Sequence, residues 1–203
     1  VLQDQQLLEH VGLVKVLNPS DIVHGHSSLL VVFQHRLEVI EAMWLYNCPM
    51  EKIHTVVHPE SIIHSMVEYV DGAVMAQLGT PDMKLPIQYA LFYPDRRPMD
   101  GKRLDFYELA QMTFEKPDMD TFNGLKLAFK ASECGGSMPT VYNAANEKAV
   151  ALFLDRKIKY LQIPEIIEMS MEHHKVIENP NVEQILMAEA ETYDYIMQRM
   201  ELL

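Results

Sequence analysis

The chain has 203 residues with 17 basic and 29 acidic side chains, a formal net charge of −12. That acidic surplus repels phosphate backbones and excludes nucleic acid as the main partner. Its 48% apolar and 23% charged residues are the mix of a folded globular chain, not a disordered one. No run comes near the roughly 20 consecutive apolar residues of a membrane-spanning helix. The start, Val1 to His10, holds three Gln and two acids and reads as neither a signal nor a transit peptide. Opening on Val, the chain reads as a fragment or a processed form. Its two cysteines, Cys48 and Cys134, have no paired-thiol spacing. They make neither a disulfide framework nor a Cys-based zinc site and fit a reducing compartment.

In chain order, Leu2, Leu7, Leu8, Val11 and Val14 form an amphipathic pattern that predicts a first helix. Asn18-Pro19-Ser20-Asp21 breaks it. The short apolar run Leu29 to Phe33 suits a buried strand as well as a helical turn. Leu37, Ile40, Met43, Trp44 and Leu45 share one face of a helix that ends before Cys48-Pro49. Ile53 to Val57 reads as a strand. Ile62 to Val70 and Ala73 to Leu78 read as a β-hairpin, with Asp71-Gly72 forming a two-residue type I′ turn. Asp82 stands where a cap would precede a helix over Leu85 to Phe92.

Residues 93–120, punctuated by Pro94, Pro98, Gly101 and Pro117, read as an ordered linker laid over a surface. Helical rhythm follows: Thr121 to Cys134, stopped by Gly135-Gly136; Thr140 to Lys157, rich in Ala; a helix with Pro164 just inside its start, reaching about His174; and Asn181 to Leu203. Four helices with short loops make a small antiparallel bundle. The predicted class is α+β: a partial central domain with a small antiparallel or mixed sheet and flanking helices, then a C-terminal four-helix bundle. The expected divisions are 1–36, 37–92, 93–120 and 121–203.

Chemistry-bearing residues are few. The eight glycines never fall in a G-x-G-x-x-G loop, so the chain contains no complete dinucleotide-binding domain. Glu38 and Glu41, three apart on one helix, are oxygen ligands suited to Mg²⁺ or Mn²⁺, or else a solvated stripe. The stretch from His58 to Ser65 gathers polar groups at a junction between strands. Its histidines could orient a ligand or simply cap backbone groups. His173-His174, at a helix end, favours the dipole.

Three stretches carry a specific resemblance: Leu37-Glu38-Val39-Ile40-Glu41-Ala42-Met43-Trp44-Leu45, Val57-His58-Pro59-Glu60-Ser61-Ile62-Ile63-His64-Ser65-Met66-Val67 and Leu78-Gly79-Thr80-Pro81-Asp82-Met83-Lys84-Leu85-Pro86-Ile87. Together with Leu104-Asp105-Phe106 and Tyr142-Asn143-Ala144-Ala145-Asn146-Glu147, in this order and spacing, they resemble 1-deoxy-D-xylulose 5-phosphate reductoisomerases from Leu37 to the end. The resemblance implies NADPH- and divalent-metal-dependent (Mn²⁺, Mg²⁺ or Co²⁺) rearrangement and reduction of 1-deoxy-D-xylulose 5-phosphate to 2-C-methyl-D-erythritol 4-phosphate, in non-mevalonate isoprenoid synthesis. It also implies a homodimer formed through the central sheet, working in a bacterial cytoplasm or plastid stroma.

By the same resemblance, Glu38 is a metal ligand and catalytic residue, and His64 is catalytic. Ser61 lines the substrate site, and Met83 packs beside the nicotinamide. Gln34 and His35 stand where the family has the Asn and Lys that hold substrate oxygens and phosphate. The role of Glu41 stays open. The family's D-x-E metal ligands and NADPH domain would precede Val1, and the agreement stops abruptly before Leu37, as a frame error or gene truncation would leave it. The expected state is a truncated, inactive reductoisomerase; the alternative is a non-catalytic dimerising module derived from it.

Overall fold

The structure, a computed structural model, describes residues 12–17 and 37–200, with the backbone alone for 12–17. The described residues form two compact units, one of residues 12–17 and 51–117, the other of residues 37–50 and 118–200.

The first unit is built on a four-stranded mixed sheet: β1 (Gly12–Leu17), β2 (Ile53–Val57), β3 (Ile63–Glu68) and β4 (Val74–Leu78), in the order β2-β1-β3-β4. β1 runs parallel to β2, with Leu13 beside Ile53, and antiparallel to β3, with Leu13 beside Val67. The first-helix expectation is therefore corrected where it can be tested: Val14 lies in a strand. Gly12 and the β-branched Val14 and Val16 are poor helix formers, and hydrogen bonding to a strand on each side decides the matter. Residues 1–11, the break at 18–21 and the run 29–33 lie outside the described residues.

The β3–β4 hairpin forms as expected, but its turn differs. Tyr69 N–H donates to Ala73 O at 2.8 Å and Gly72 N–H to Tyr69 O at 2.9 Å. The loop thus holds three residues, and only Gly72 (φ 83°) among them has a positive φ. This is a turn followed by a left-handed glycine, the other common solution for an Asp-Gly pair. Asp71 Oδ1 accepts the Ala73 N–H at 3.0 Å.

After β4, Asp82 Oδ1 accepts the Lys84 N–H at 2.9 Å as helix α2 (Lys84–Phe92) begins. The segment beyond is ordered by many small ties. Arg96 and Arg97 lie over the rings of Tyr89 and Phe92, at 3.4 and 4.2 Å. Asp105 caps the short α3 (Phe106–Leu109) by accepting from Tyr107 N and Glu108 N. Glu115 makes an antiparallel bridge with Val57.

The second unit is the helical bundle: α4 (Asn123–Cys134), α5 (Met138–Leu154), α6 (Gln162–His173) and α7 (Val182–Met200). Helix α1, residues 37–45, lays Ile40 and Leu37 on its core. α5 is central, burying Val141, Tyr142, Ala144, Ala145, Ala149 and Leu152, and its alanines let the neighbouring helices approach closely. Ile163, Ile166 and Ile167 of α6 and Ala188 and Ile196 of α7 close on it. Buried hydroxyls of Ser132, Ser170 and Thr192 donate to the carbonyls of Ala128, Ile166 and Ala188 one turn back, so none is left unpaired. Asn181 and Gln184 form a reciprocal capping box at the start of α7.

The loop between α6 and α7 is tied to the start of α5. Ser137 N–H donates to Ile177 O at 3.0 Å, and Ile177 N–H returns a bond to Ser137 Oγ at 2.9 Å. The same hydroxyl lies 2.7 Å from His174 Nε2. Desolvation holds the His174 imidazole below its ordinary pKa, with His173 pushing the same way and Glu191 opposing. In the unfolded chain His174 takes up its proton first. The resulting penalty is absent above the ordinary value near 6.5 and grows as pH falls through it. The bundle's melting temperature is expected to fall from pH 7 to pH 5, and His174→Gln to flatten that fall; an unchanged slope in the variant would contradict it.

Candidate functional site

The start of β3 and the end of β4 carry the unusual geometry of the first unit. His58-Pro59-Glu60-Ser61 is a β-turn closed by Ser61 N–H donating to His58 O at 3.1 Å, with Pro59 at the position that favours it. Ser61 leaves this turn with φ 52°, a left-handed conformation that costs a non-glycine residue about 1–3 kcal/mol. Ile62 is buried, and its carbonyl accepts the Gly79 N–H at 2.9 Å.

His64 follows in an irregular stretch of the ladder. Ile63 faces Leu78 and Ser65 faces Gln77, so His64 is the extra residue of a β-bulge. Bulges re-aim a side chain and gather near active sites. His64 is half-buried. From Gly79 the chain runs through Thr80-Pro81-Asp82 to Met83, whose side chain is 71% exposed. Added bulk at Gly79 would press on Leu85, with a Cβ only 3.1 Å from its Cδ2. Hairpin pairing thus places Ser61 and His64 at the same end of the β3–β4 ladder as the turn leading to Met83.

Glu38 belongs to the other unit, half-buried on α1, while Glu41 is exposed. Helix α1 therefore gives these two acids different surroundings despite their spacing. Gln34 and His35 lie outside the described residues.

The sequence places His58 and Glu60 in a polar junction without naming a partner for either. His58 is fully buried and stacks on Phe114, with ring centroids 4.9 Å apart. Its Nδ1 is 2.8 Å from Thr113 O and 3.0 Å from Glu60 Oε2. Since a carbonyl can only accept, Nδ1 carries a hydrogen. The Glu60 carboxylate accepts from Thr113 N–H (3.1 Å) and Thr113 Oγ1–H (2.8 Å). The Thr113 N–H, foremost, holds the Glu60 carboxyl below its ordinary pKa, with the Thr113 hydroxyl and His58 adding to it against desolvation. Pro59 and a polar turn were the only signals in the sequence; the partner lies 55 residues away.

Residues 78–195 match the model of the DXP reductoisomerase C-terminal domain. The 1-deoxy-D-xylulose 5-phosphate reductoisomerase of Lachnospira eligens is 64% identical over 163 residues, which are 80% of this chain and 43% of that protein. The one from Caldanaerobacter subterraneus subsp. tengcongensis is 58% identical over 163 residues, with the same shares. The chain thus spans less than half the length of these curated relatives. Among solved structures, the Zymomonas mobilis reductoisomerase in complex with NADPH superposes with a TM-score of 0.86 at 36% identity, covering 98% of this chain and 58% of that one. A DOX-P reductoisomerase with fosmidomycin and magnesium superposes at 0.84 and 31% identity, covering 94% and 55%. On its sequence and its α+β architecture, the chain belongs to the 1-deoxy-D-xylulose 5-phosphate reductoisomerase family.

Proposed function

We propose that this chain supplies substrate-handling residues to an NADPH- and metal-dependent reductoisomerase, which converts 1-deoxy-D-xylulose 5-phosphate to 2-C-methyl-D-erythritol 4-phosphate in the cytoplasm of a bacterium. The observation that supports the reading is the bulge and left-handed turn at His64 and Ser61, residues to which the resemblance gives a role in the site. In this reading Ser61 and His64 bind and orient the sugar phosphate, joined by Gln34 and His35. The exposed thioether of Met83 is available to pack against a nicotinamide ring.

For the metal, Glu38 offers a hard oxygen ligand of the kind Mn²⁺, Mg²⁺ or Co²⁺ takes. Among the described residues, however, no three His, Cys, Asp or Glu side chains gather to hold an ion. These residues alone therefore do not make a metal site, and Glu38 would be one ligand of a larger set.

The test is NADPH oxidation with 1-deoxy-D-xylulose 5-phosphate and Mn²⁺. The 203-residue chain by itself is expected to show no turnover. Residues 37–203 joined to the upstream part of the Lachnospira eligens relative are expected to turn over, with His64→Ala lowering kcat/KM by at least about 10²-fold, the scale set by a lost preorganised contact. Turnover unaffected by His64→Ala would overturn the reading.

A second reading, a dimerising module, is favoured by the outer edge of the sheet. β4 pairs only with β3 among the described residues, and its Val74 and Met75 are 53% and 64% exposed. Such an edge is a template for another strand. A mass in solution of twice 23.4 kDa is expected, and a monomer would contradict self-pairing.

A further inference from the structure

We infer that His58 and Glu60 are positioning residues for Ser61, locked by a clasp from the segment Thr113–Glu115. The inference deepens the proposed function and rests on its placing of Ser61 against substrate.

Two unfavourable features meet here. Ser61 adopts a left-handed backbone without being glycine, and the buried His58 Nε2 has no hydrogen-bond partner among the described residues. An unpaired buried nitrogen and a strained turn persist only where the surroundings over-determine them. The surroundings do so. Thr113 is held at three points: its carbonyl by His58 Nδ1–H, its N–H and its hydroxyl by the two oxygens of Glu60. Phe114 stacks on the imidazole. Glu115 exchanges two backbone bonds with Val57, at 2.9 and 2.8 Å. The turn residues His58 and Glu60 are thus gripped from the 113–115 side. On the far side of Ser61, the Ile62 carbonyl is fixed by Gly79 N–H. The backbone of Ser61 is pinned from both directions, which leaves its hydroxyl one origin from which to meet a ligand.

The clasp also explains why a segment that reads as a linker is ordered here. Its contacts are short and partly charged, and a carboxylate accepting two donors from a single residue fixes orientation as well as distance.

The experiment is ¹⁵N NMR of the 203-residue chain, alone and with 1-deoxy-D-xylulose 5-phosphate and Mg²⁺. In Glu60→Ala the Ser61 backbone coupling constant is expected to leave the left-handed range. The apparent Kd read from Ser61 and His64 amides should weaken by at least about tenfold, because re-ordering the turn draws on binding free energy. Glu60→Gln, whose amide can still accept from Thr113 N–H and donate to its hydroxyl, is expected to restore both readouts. A Ser61 that stays left-handed and binds equally well in Glu60→Ala overturns the inference. If that variant unfolds, Thr113→Val, which keeps every backbone bond, takes its place with the same criteria. Should the unsubstituted chain show no ligand response at Ser61 and His64, binding is read on residues 37–203 joined to the upstream part of the Lachnospira eligens relative, where no response means that the role of Ser61 in the proposed function fails; the coupling constants still decide whether the clasp holds the turn.

Discussion

Gly136→Ala is expected to destabilise the helical unit by about 2–5 kcal/mol, adding a left-handed penalty to the loss of two loop hydrogen bonds. Gly136 has φ +55°, and a Cβ built there would clash with Ile177 O and lie 3.0 Å from Ile177 C. These are backbone atoms, so no rotamer change relieves the clash. The loop must retreat, and the loop is what Ser137 holds: its N–H on Ile177 O and its Oγ under Ile177 N–H. Urea unfolding followed by the amide signals of each unit measures the loss, Gly136 lying in the helical unit and Gly72 in the sheet unit. Gly72→Ala is the comparison, since Gly72 has φ +83° and nothing within 4 Å of its built Cβ. It should show the conformational penalty alone, about 1–2 kcal/mol. If Gly136→Ala costs no more than Gly72→Ala, the account of the loop anchor is wrong.

Tyr142→Ala is the second large effect, with an expected loss of about 3–5 kcal/mol for removing a buried aromatic side chain. Tyr142 is fully buried in the centre of α5, among residues supplied by α4, α6 and α7. Its hydroxyl donates to Gly124 O at 3.0 Å, tying α5 to the first turn of α4. Tyr142→Phe keeps the ring and removes that bond, so it should cost only about 0.5–1.5 kcal/mol. The ratio of the two variants separates packing from hydrogen bonding. A Tyr142→Phe loss as large as that of Tyr142→Ala would mean that the hydroxyl, not the ring, organises the bundle. The same denaturation curves report both.

How much of this was legible in the sequence depends on the range of the forces involved. The bundle was legible because its causes are local. Apolar residues recur at helical spacing in α4 to α7, and Gly135 supplies a left-handed stop at φ 67°. β1 was not, because Gly12–Leu17 is a strand by virtue of β2 and β3 on its two sides, and an apolar pattern shared with the preceding leucines reads equally as helix. The Asp71-Gly72 pair announced a turn but not its length, which follows from Tyr69 pairing with Ala73.

The candidate site divides in the same way. Glu38, Ser61, His64 and Met83 were named from motifs, but their settings were not. A bulge at His64 is a count of residues against the opposite strand, invisible along one chain. The left-handed Ser61 carries no glycine to advertise it, and Thr113 lies 53 residues from the Glu60 it holds. The spacing of Glu38 and Glu41 put both on one helix without saying which was half-buried. Among the described side chains of the sheet unit, Ile53, Ile62 and Ile63 are the buried aliphatic ones.

The central claim is that Glu38 is a metal ligand of a reductoisomerase. The direct test is the Mn²⁺ dependence of NADPH oxidation by residues 37–203 joined to the upstream part of the Lachnospira eligens relative, with and without Glu38→Gln. The account requires the variant to need at least about tenfold more Mn²⁺ for half-maximal rate, the lower bound for losing even an outer partner of a metal. An unchanged Mn²⁺ requirement, with turnover intact, would remove Glu38 from the metal and contradict it.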